Sequence, residues 1–261
     1  MNWLKNIILL KKDLKKVYFS WFFEYKENHL FNCVVNNDIE EAKWLVARGA
    51  DINYQDKNKD TALHYAINSY CMGLILPLLD LGADINIKNS QGTTPLMSLC
   101  KLEYEKYNQH LLVGSRHNIV SFLELMIQSG ADINAIDNYY CSAISHAFSY
   151  HNSRIVKKLI DLKSNLYIKD HKGQDFIDEL CHKKDYDLLT YLCQSSSTQV
   201  IEDITDRLKV MHELNKPGSY QKNEYDRFKI FLDALEIKNR QDRYETLFPE
   251  KKYGEKKKVK I

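Results

Sequence analysis

The 261-residue chain holds only 9 glycines and 4 prolines. So few turn-formers exclude a loop-rich all-β fold and favour helices. No run of about 18 uncharged apolar residues occurs, so no transmembrane helix is expected. Neither sign of charge dominates: 37 Lys+Arg stand against 35 Asp+Glu, a net charge of +2. Wholesale binding to nucleic acid or to an acidic membrane is therefore not expected. The six cysteines, Cys33, Cys71, Cys100, Cys141, Cys181 and Cys193, include no CxxC pair and show no zinc spacing. Their apolar surroundings mark them as reduced, buried small hydrophobes of a cytosolic-type compartment. HExxH, GxSxG, a glycine-rich phosphate loop and GxGxxG are all missing, so the sequence names no catalytic, cofactor-binding or metal residue. With 44% hydrophobic and 28% charged residues, what remains is an ordinary folded protein.

What the chain does have is self-similarity. Gly49-Ala50-Asp51-Ile52-Asn53 recurs at Gly82 and at Gly130, and a degenerate copy begins at Lys163. The steps are 33, 48 and 33 residues, so the middle step is one period plus 15. Asp56, Asn89, Asp137 and Asp170 keep the same beat. Each unit reads as helix, turn, helix and an extended hairpin finger. Leu63, Ala66 and Ile67 fall on one helical face, and Leu74, Ile75, Leu78 and Leu79 repeat the pattern on the next helix. The glycine of each GAD sits just past the second helix, where positive φ is wanted, and the Asp and Asn after it cap a tight turn. A helix pair of this size buries its apolar stripe only by stacking on its neighbours. The acids Asp51, Asp84 and Asp132 recur once per unit, so they form a ladder and do not converge in a cleft.

These features resemble the ankyrin repeat. Its T-P-L-H opening appears as Thr61-Ala62-Leu63-His64 and Thr94-Pro95-Leu96-Met97, and weakens to Ser142-Ala143-Ile144-Ser145 and Asp175-Phe176-Ile177-Asp178. Its D-x-x-G-x-T finger is present once, as Asn89 to Thr94. The resemblance implies an all-α ankyrin-repeat solenoid of about five units: 28–56, 57–89, 90–137, 138–170 and 171–194. It also implies a structural role for His64, in hydrogen bonds to the backbone of the neighbouring unit. Lys59 and Tyr140 replace finger glycines, which predicts looser or differently angled hairpins. Lys163 replaces a glycine at the end of a helix. Pro77 falls inside a second helix, where it is expected to remove a hydrogen bond and kink the helix, at about 3 kcal/mol unless neighbours compensate.

Three segments stand outside the pattern. Residues 1–27 read as an N-terminal amphipathic segment that either covers a core edge or lies on a membrane surface. The extra residues of the third unit predict a lengthened first helix and a loop around Val113-Gly114-Ser115-Arg116. Residues 195–261 read as a helical hairpin with a basic tail. Val200, Ile204, Leu208 and Met211 form one face of its first helix, and the tail carries Lys256-Lys257-Lys258-Val259-Lys260. The hairpin either caps the array or forms a module of its own, and the tail is either a solvated end or an import patch.

The functional expectation that the resemblance carries is a non-enzymatic protein-interaction scaffold that grips an unknown protein partner with its concave face of fingers and first helices. The finger residues expected to touch the partner are Tyr54, Lys57, Asn58, Lys88, Gln91, Asn138, Tyr139, Tyr140, Lys169, His171 and Lys172. Tyr139 and Tyr140 are the expected anchors, since Tyr and Trp dominate hot spots. No small-molecule substrate is expected. The alternative is an adaptor whose array holds a target while 195–261 recruits host machinery or directs nuclear import. Ankyrin-containing proteins of intracellular bacteria and large viruses have this look, and the expected location is the cytoplasm, the chain's own or a host's.

Overall fold

The computed structural model describes residues 26–102, 119–214 and 233. Among these residues every regular element is helical, and extended structure amounts to one isolated antiparallel bridge between Ile136 and Ser142. The all-α fold of helix pairs read from the sequence is what the described residues form. The described residues divide into two compact units, with the boundary between Leu159 and Ile160. The expectations for residues 1–25, for the loop around Val113 to Arg116, for the second helix of the terminal hairpin and for the lysine tail lie outside the described residues.

In the first unit the chain runs through α1 (26–35), α2 (Ile39–Ala47) and α3 (Ala62–Asn68), followed by a 3-10 turn (Met72–Leu74) that leads into α4 (Ile75–Asp80). Then come α5 (Pro95–Cys100), α6 (Ile119–Gln128), α7 (Ala143–Ser149) and α8 (Ser153–Asp161), the last of which crosses the boundary. Local chemistry sets the helix starts. The Asp38 carboxylate accepts the Glu41 N–H at 3.0 Å and opens α2, with Glu40 and Glu41 favourably placed in its first turn. Thr94 accepts the Met97 N–H at the start of α5, with Pro95 at the position that needs no donor. α3 packs on α5 and α5 on α7, so the first helices stand in a row. Leu63, Ile67, Ile75, Leu78, Leu96, Leu99 and Leu123 are fully buried between the layers. At about 25 cal/mol per Å² of apolar surface removed from water, that stripe is the main stabilising force of the array.

Three kinds of turn carry positive φ among the described residues. Gly49, Gly82 and Gly130 do so after the second helix, at φ of 86°, 92° and 93°, and Lys163 keeps the conformation at φ 60°. The finger tips do so at Lys59, Gly92, Tyr140 and Gly173. Lys59 and Tyr140 therefore do not loosen or re-angle their fingers; the side chain accepts the left-handed backbone that glycine would take freely. A third series, Asn37, Tyr70, His151 and Lys184, marks the turn between the two helices of a repeat.

Two expectations are corrected here. Pro77 does not break its helix. The 3-10 turn over Met72–Leu74 resets the ladder, so Pro77 is the third residue of α4, where the N–H that proline lacks would have had no partner within the helix. The first helix of the third repeat is not lengthened. α5 stops at Cys100, and the Leu102 carbonyl beyond it accepts a 3.4 Å hydrogen bond from the Asn152 side chain; residues 103–118 lie outside the described residues.

The second unit holds α9 (Phe176–Lys183), α10 (Tyr186–Ser195) and α11 (Thr198–Leu214). Asp175 and Asp178 cap the start of α9 reciprocally: each side chain accepts the other's backbone N–H, at 3.0 and 3.1 Å. α11 packs on α9 and buries Ile201, Ile204 and Leu208. Val200 of the expected face is only half-buried. Arg207 of α11 reaches Asp175 at 2.8 Å, Asp178 at 2.6 Å and Asp203 at 2.9 Å. Burial opposes its charge, but the three carboxylates outweigh it and drive its pKa up.

Candidate functional site

The fingers are built around one side chain each. Asp56 Oδ1 accepts the N–H groups of Asn58 and Asp60, both at 2.8 Å. Asn89 Oδ1 does the same for Gln91 and Thr93, Asp137 for Tyr139 and Cys141, and, in the second unit, Asp170 for Lys172 and Gln174. Each tip closes with the positive-φ residue donating back to the carbonyl of that same Asp or Asn. The GAD acids are likewise turn caps: Asp51, Asp84 and Asp132 accept the N–H of Asn53, Asn86 and Asn134. The asparagines then join successive repeats. Asn53 donates to the Gly82 carbonyl and accepts the Asp84 N–H, and Asn86 does the same with Gly130 and Asp132.

Within the first unit the fingers lie in register. The Ser90 N–H donates to the Asn58 carbonyl, and the Asn138 N–H to that of Gln91. His64 ties the finger to the helix row. Its Nδ1 accepts the Thr61 N–H at 3.2 Å, and its Nε2 lies 3.0 Å from the Thr93 carbonyl. A carbonyl only accepts, so Nε2 carries the proton. Burial lowers the His64 pKa despite its carbonyl partner, and the ring is neutral. The structural role implied for His64 is what its geometry gives.

Between these finger tips and the first helices runs a groove of about 450 Å³, lined in part by Asn58, Asp60 and Gln91 from the fingers and Asn68, Ser98 and Lys101 from the helix side. Its lining is polar. Lys101 is half-buried and donates to Thr93 Oγ1 at 3.0 Å; burial lowers its pKa, against the pull of Asp137 and Asp60. Beyond it His146 meets the buried Asp137 at 2.8 Å. Burial and the nearby Lys101 lower the His146 pKa more than Asp137 raises it.

The expected contact residues divide by what already holds them. Tyr139 and Tyr140 are 61% and 54% exposed. Lys57, Asn58 and Gln91 of the first unit are exposed, as are Lys169, His171 and Lys172 of the second. Tyr54 is half-buried, its ring 6.0 Å from that of Phe31. The Lys88 ammonium is bound to the Ile136 carbonyl at 2.7 Å, and the Asn138 amide to that of Ser90 at 3.0 Å. Sequence reasoning missed Lys101 and Tyr150, which line the groove from positions the repeat motif does not mark.

Burial pushes the thiols of Cys100 and Cys181 up to about 12, where they stay protonated. His182, the neighbour of Cys181, is bonded through Nδ1 to the Asp178 carbonyl of its own helix. Among the described residues one group could hold a metal ion: His29, Cys33 and Glu41, each offering one donor atom, all within 4.8 Å of one another. The spacing of cysteines could not find it, because the third donor comes from the next helix; the signal in the sequence was His and Cys four residues apart.

Residues 30–120 match the family model for ankyrin repeats in three copies. A protein of Acanthamoeba polyphaga mimivirus named for its ankyrin repeats, L86, is 30% identical over 147 residues, covering 50% of this chain and 24% of its own. Fowlpox virus FPV222, also named for its ankyrin repeats, is 27% identical over 126 residues, covering 42% and 17%. Mouse neurogenic locus notch homolog protein 1 is 29% identical over 136 residues, covering 52% and 5%. The chain thus spans a quarter or less of the length of these relatives. No helix among the described residues is long and apolar enough to cross a membrane.

Proposed function

The chain is an ankyrin-repeat protein, and from that premise we propose that it is a non-enzymatic scaffold that binds a partner protein through its finger tips and the adjoining first-helix groove. Ankyrin repeats generally mediate protein–protein interaction. The observation that carries the reading for this chain is the exposed pair Tyr139 and Tyr140, 61% and 54% accessible on a finger braced by hydrogen bonds to its neighbour. A preformed tip loses little freedom on binding, and two exposed tyrosines supply large contact area with few rotatable bonds. Lys57 on another finger of the first unit, and Lys169, His171 and Lys172 in the second unit, suit an acidic or mixed partner surface. Two of the relatives are viral, which supports a site of action in a cytosol, the chain's own or a host's. The adaptor alternative depends on residues 195–261, of which 215–232 and 234–261 lie outside the described residues.

The test is affinity capture of cytosolic proteins on the immobilised full chain, wild type against the Tyr139→Ala, Tyr140→Ala double variant. The expected result is loss of the captured species with an unchanged circular dichroism spectrum. Equal capture by both forms would reject this site.

A further inference from the structure

We propose that His29, Cys33 and Glu41 form a binding site for a divalent cation of the zinc type, stapling α1 to α2 in the first repeat. His29 and Cys33 lie four residues apart on α1, so both point from one face of that helix, and Glu41 comes from the first turn of α2. His29 Nε2 is already 3.3 Å from Glu41 Oε1. All three donor atoms fall within 4.8 Å of one another. With zinc–nitrogen and zinc–sulfur bonds of about 2.0–2.3 Å, tetrahedral donors sit roughly 3.5 Å apart, so a shift on the order of an ångström closes the set.

The repeat itself makes these residues stand out. One period of 33 residues on, the same three places hold Ala62, Ala66 and Leu74. In the fourth repeat they hold Ala143, Ala147 and Ile155, and in the fifth Phe176, Leu180 and Leu188. All nine are buried and apolar. In the first repeat the three places instead carry an imidazole, a thiol and a carboxylate, and the thiol remains buried at 4% exposure. One nitrogen, one sulfur and one oxygen make a borderline-soft set that suits zinc and disfavours the oxygen-seeking calcium and magnesium. Three ligands leave the fourth corner of the tetrahedron to water or another donor. A bound cation takes Cys33 as the thiolate, releasing one proton.

The experiment is titration of the full chain with Co²⁺ under anaerobic conditions, followed by competition with Zn²⁺. The expected result is one equivalent bound, with a sulfur-to-cobalt charge-transfer band and d–d bands of tetrahedral intensity, both bleached by stoichiometric Zn²⁺. Cys33→Ser should abolish the charge-transfer band, while Cys71→Ser and Cys141→Ser should leave it intact. His29→Gln and Glu41→Gln should each weaken cobalt binding by about tenfold or more. Absence of a tetrahedral spectrum, or a charge-transfer band that survives in Cys33→Ser, would overturn the site. If Cys33→Ser fails to fold by circular dichroism, the His29→Gln and Glu41→Gln variants decide: unchanged affinity in both rejects the proposal.

Discussion

Two finger tips, one in each unit, place glycine at the same point of the same turn, and the two glycines do different things. Gly92 has φ 77° and Gly173 has φ 75°. Around Gly173 nothing lies within 4 Å of where a Cβ would stand. At Gly92 that atom would meet Asn138 Oδ1 at 2.5 Å and the Asn138 backbone nitrogen at 2.7 Å. Gly173 is therefore there for its backbone freedom alone, whereas Gly92 is there because the next finger passes against it. Lys59 and Tyr140 complete the lesson: where there is room, the turn tolerates a side chain, and one of those side chains is an exposed tyrosine.

The largest effect that would break this comparison is an alanine at each glycine. Gly173→Ala adds only the left-handed penalty, about 1 kcal/mol. Gly92→Ala adds that penalty and forces Asn138 away, straining its bonds to Gln91 and Ser90; the expected loss is about 3 kcal/mol. Denaturant midpoints of the two variants measure the gap. Equal losses would mean that the second and third fingers are not held together as described.

A smaller effect separates the two tips that lean on different partners. Asn89 gives its amide to Asp60, which involves no titrating ring, while Asp137 meets His146. Burial lowers the His146 pKa below its ordinary 6.5, and the same holds for His64. The sign follows. As pH falls through 6.5 the unfolded chain takes up protons that the folded rings refuse, so stability is lost on the acid side until the folded values are reached. The melting temperature should therefore fall between about pH 7 and pH 5. His146→Gln should flatten part of that slope. In Asp137→Asn the ring loses its negative neighbour, so its NMR titration should move to still lower pH; a move upward would contradict the pairing.

How much of this was legible beforehand depends on what each residue type announces. The repeat was legible because buried apolar residues, the GAD turns and the finger acids recur at 33 residues, and His64 because its motif fixes its neighbours. Tyr70 and His151 gave no warning of their left-handed backbones, since nothing in a tyrosine or a histidine signals that turn; only the beat of Asn37 and Lys184 around them does. Pro77 misled because one 3-10 turn, invisible in composition, shifts where the helix begins. Arg207 was unreadable because its three partners lie on two helices, and His29, Cys33 and Glu41 because the third residue arrives from another element. The recurring motif reached the repeat, its stacking and His64; meetings of elements that no motif marks had to wait for the fold.

The smallest effect is the one that joins stability to binding. Tyr140→Gly removes a left-handed side chain, relieving about 1 kcal/mol, and returns part of that as extra freedom in the unfolded chain, leaving a net gain of about 0.5 kcal/mol. A ring 54% exposed has limited burial to lose. The variant should therefore unfold at a slightly higher denaturant concentration with an unchanged slope. If Tyr140 is a partner anchor, the same change weakens capture of the partner while it strengthens the fold. Natural sequences keep such strain where it is part of a function. A variant that binds as before and is also more stable would leave Tyr140 without a reason to occupy a glycine's place.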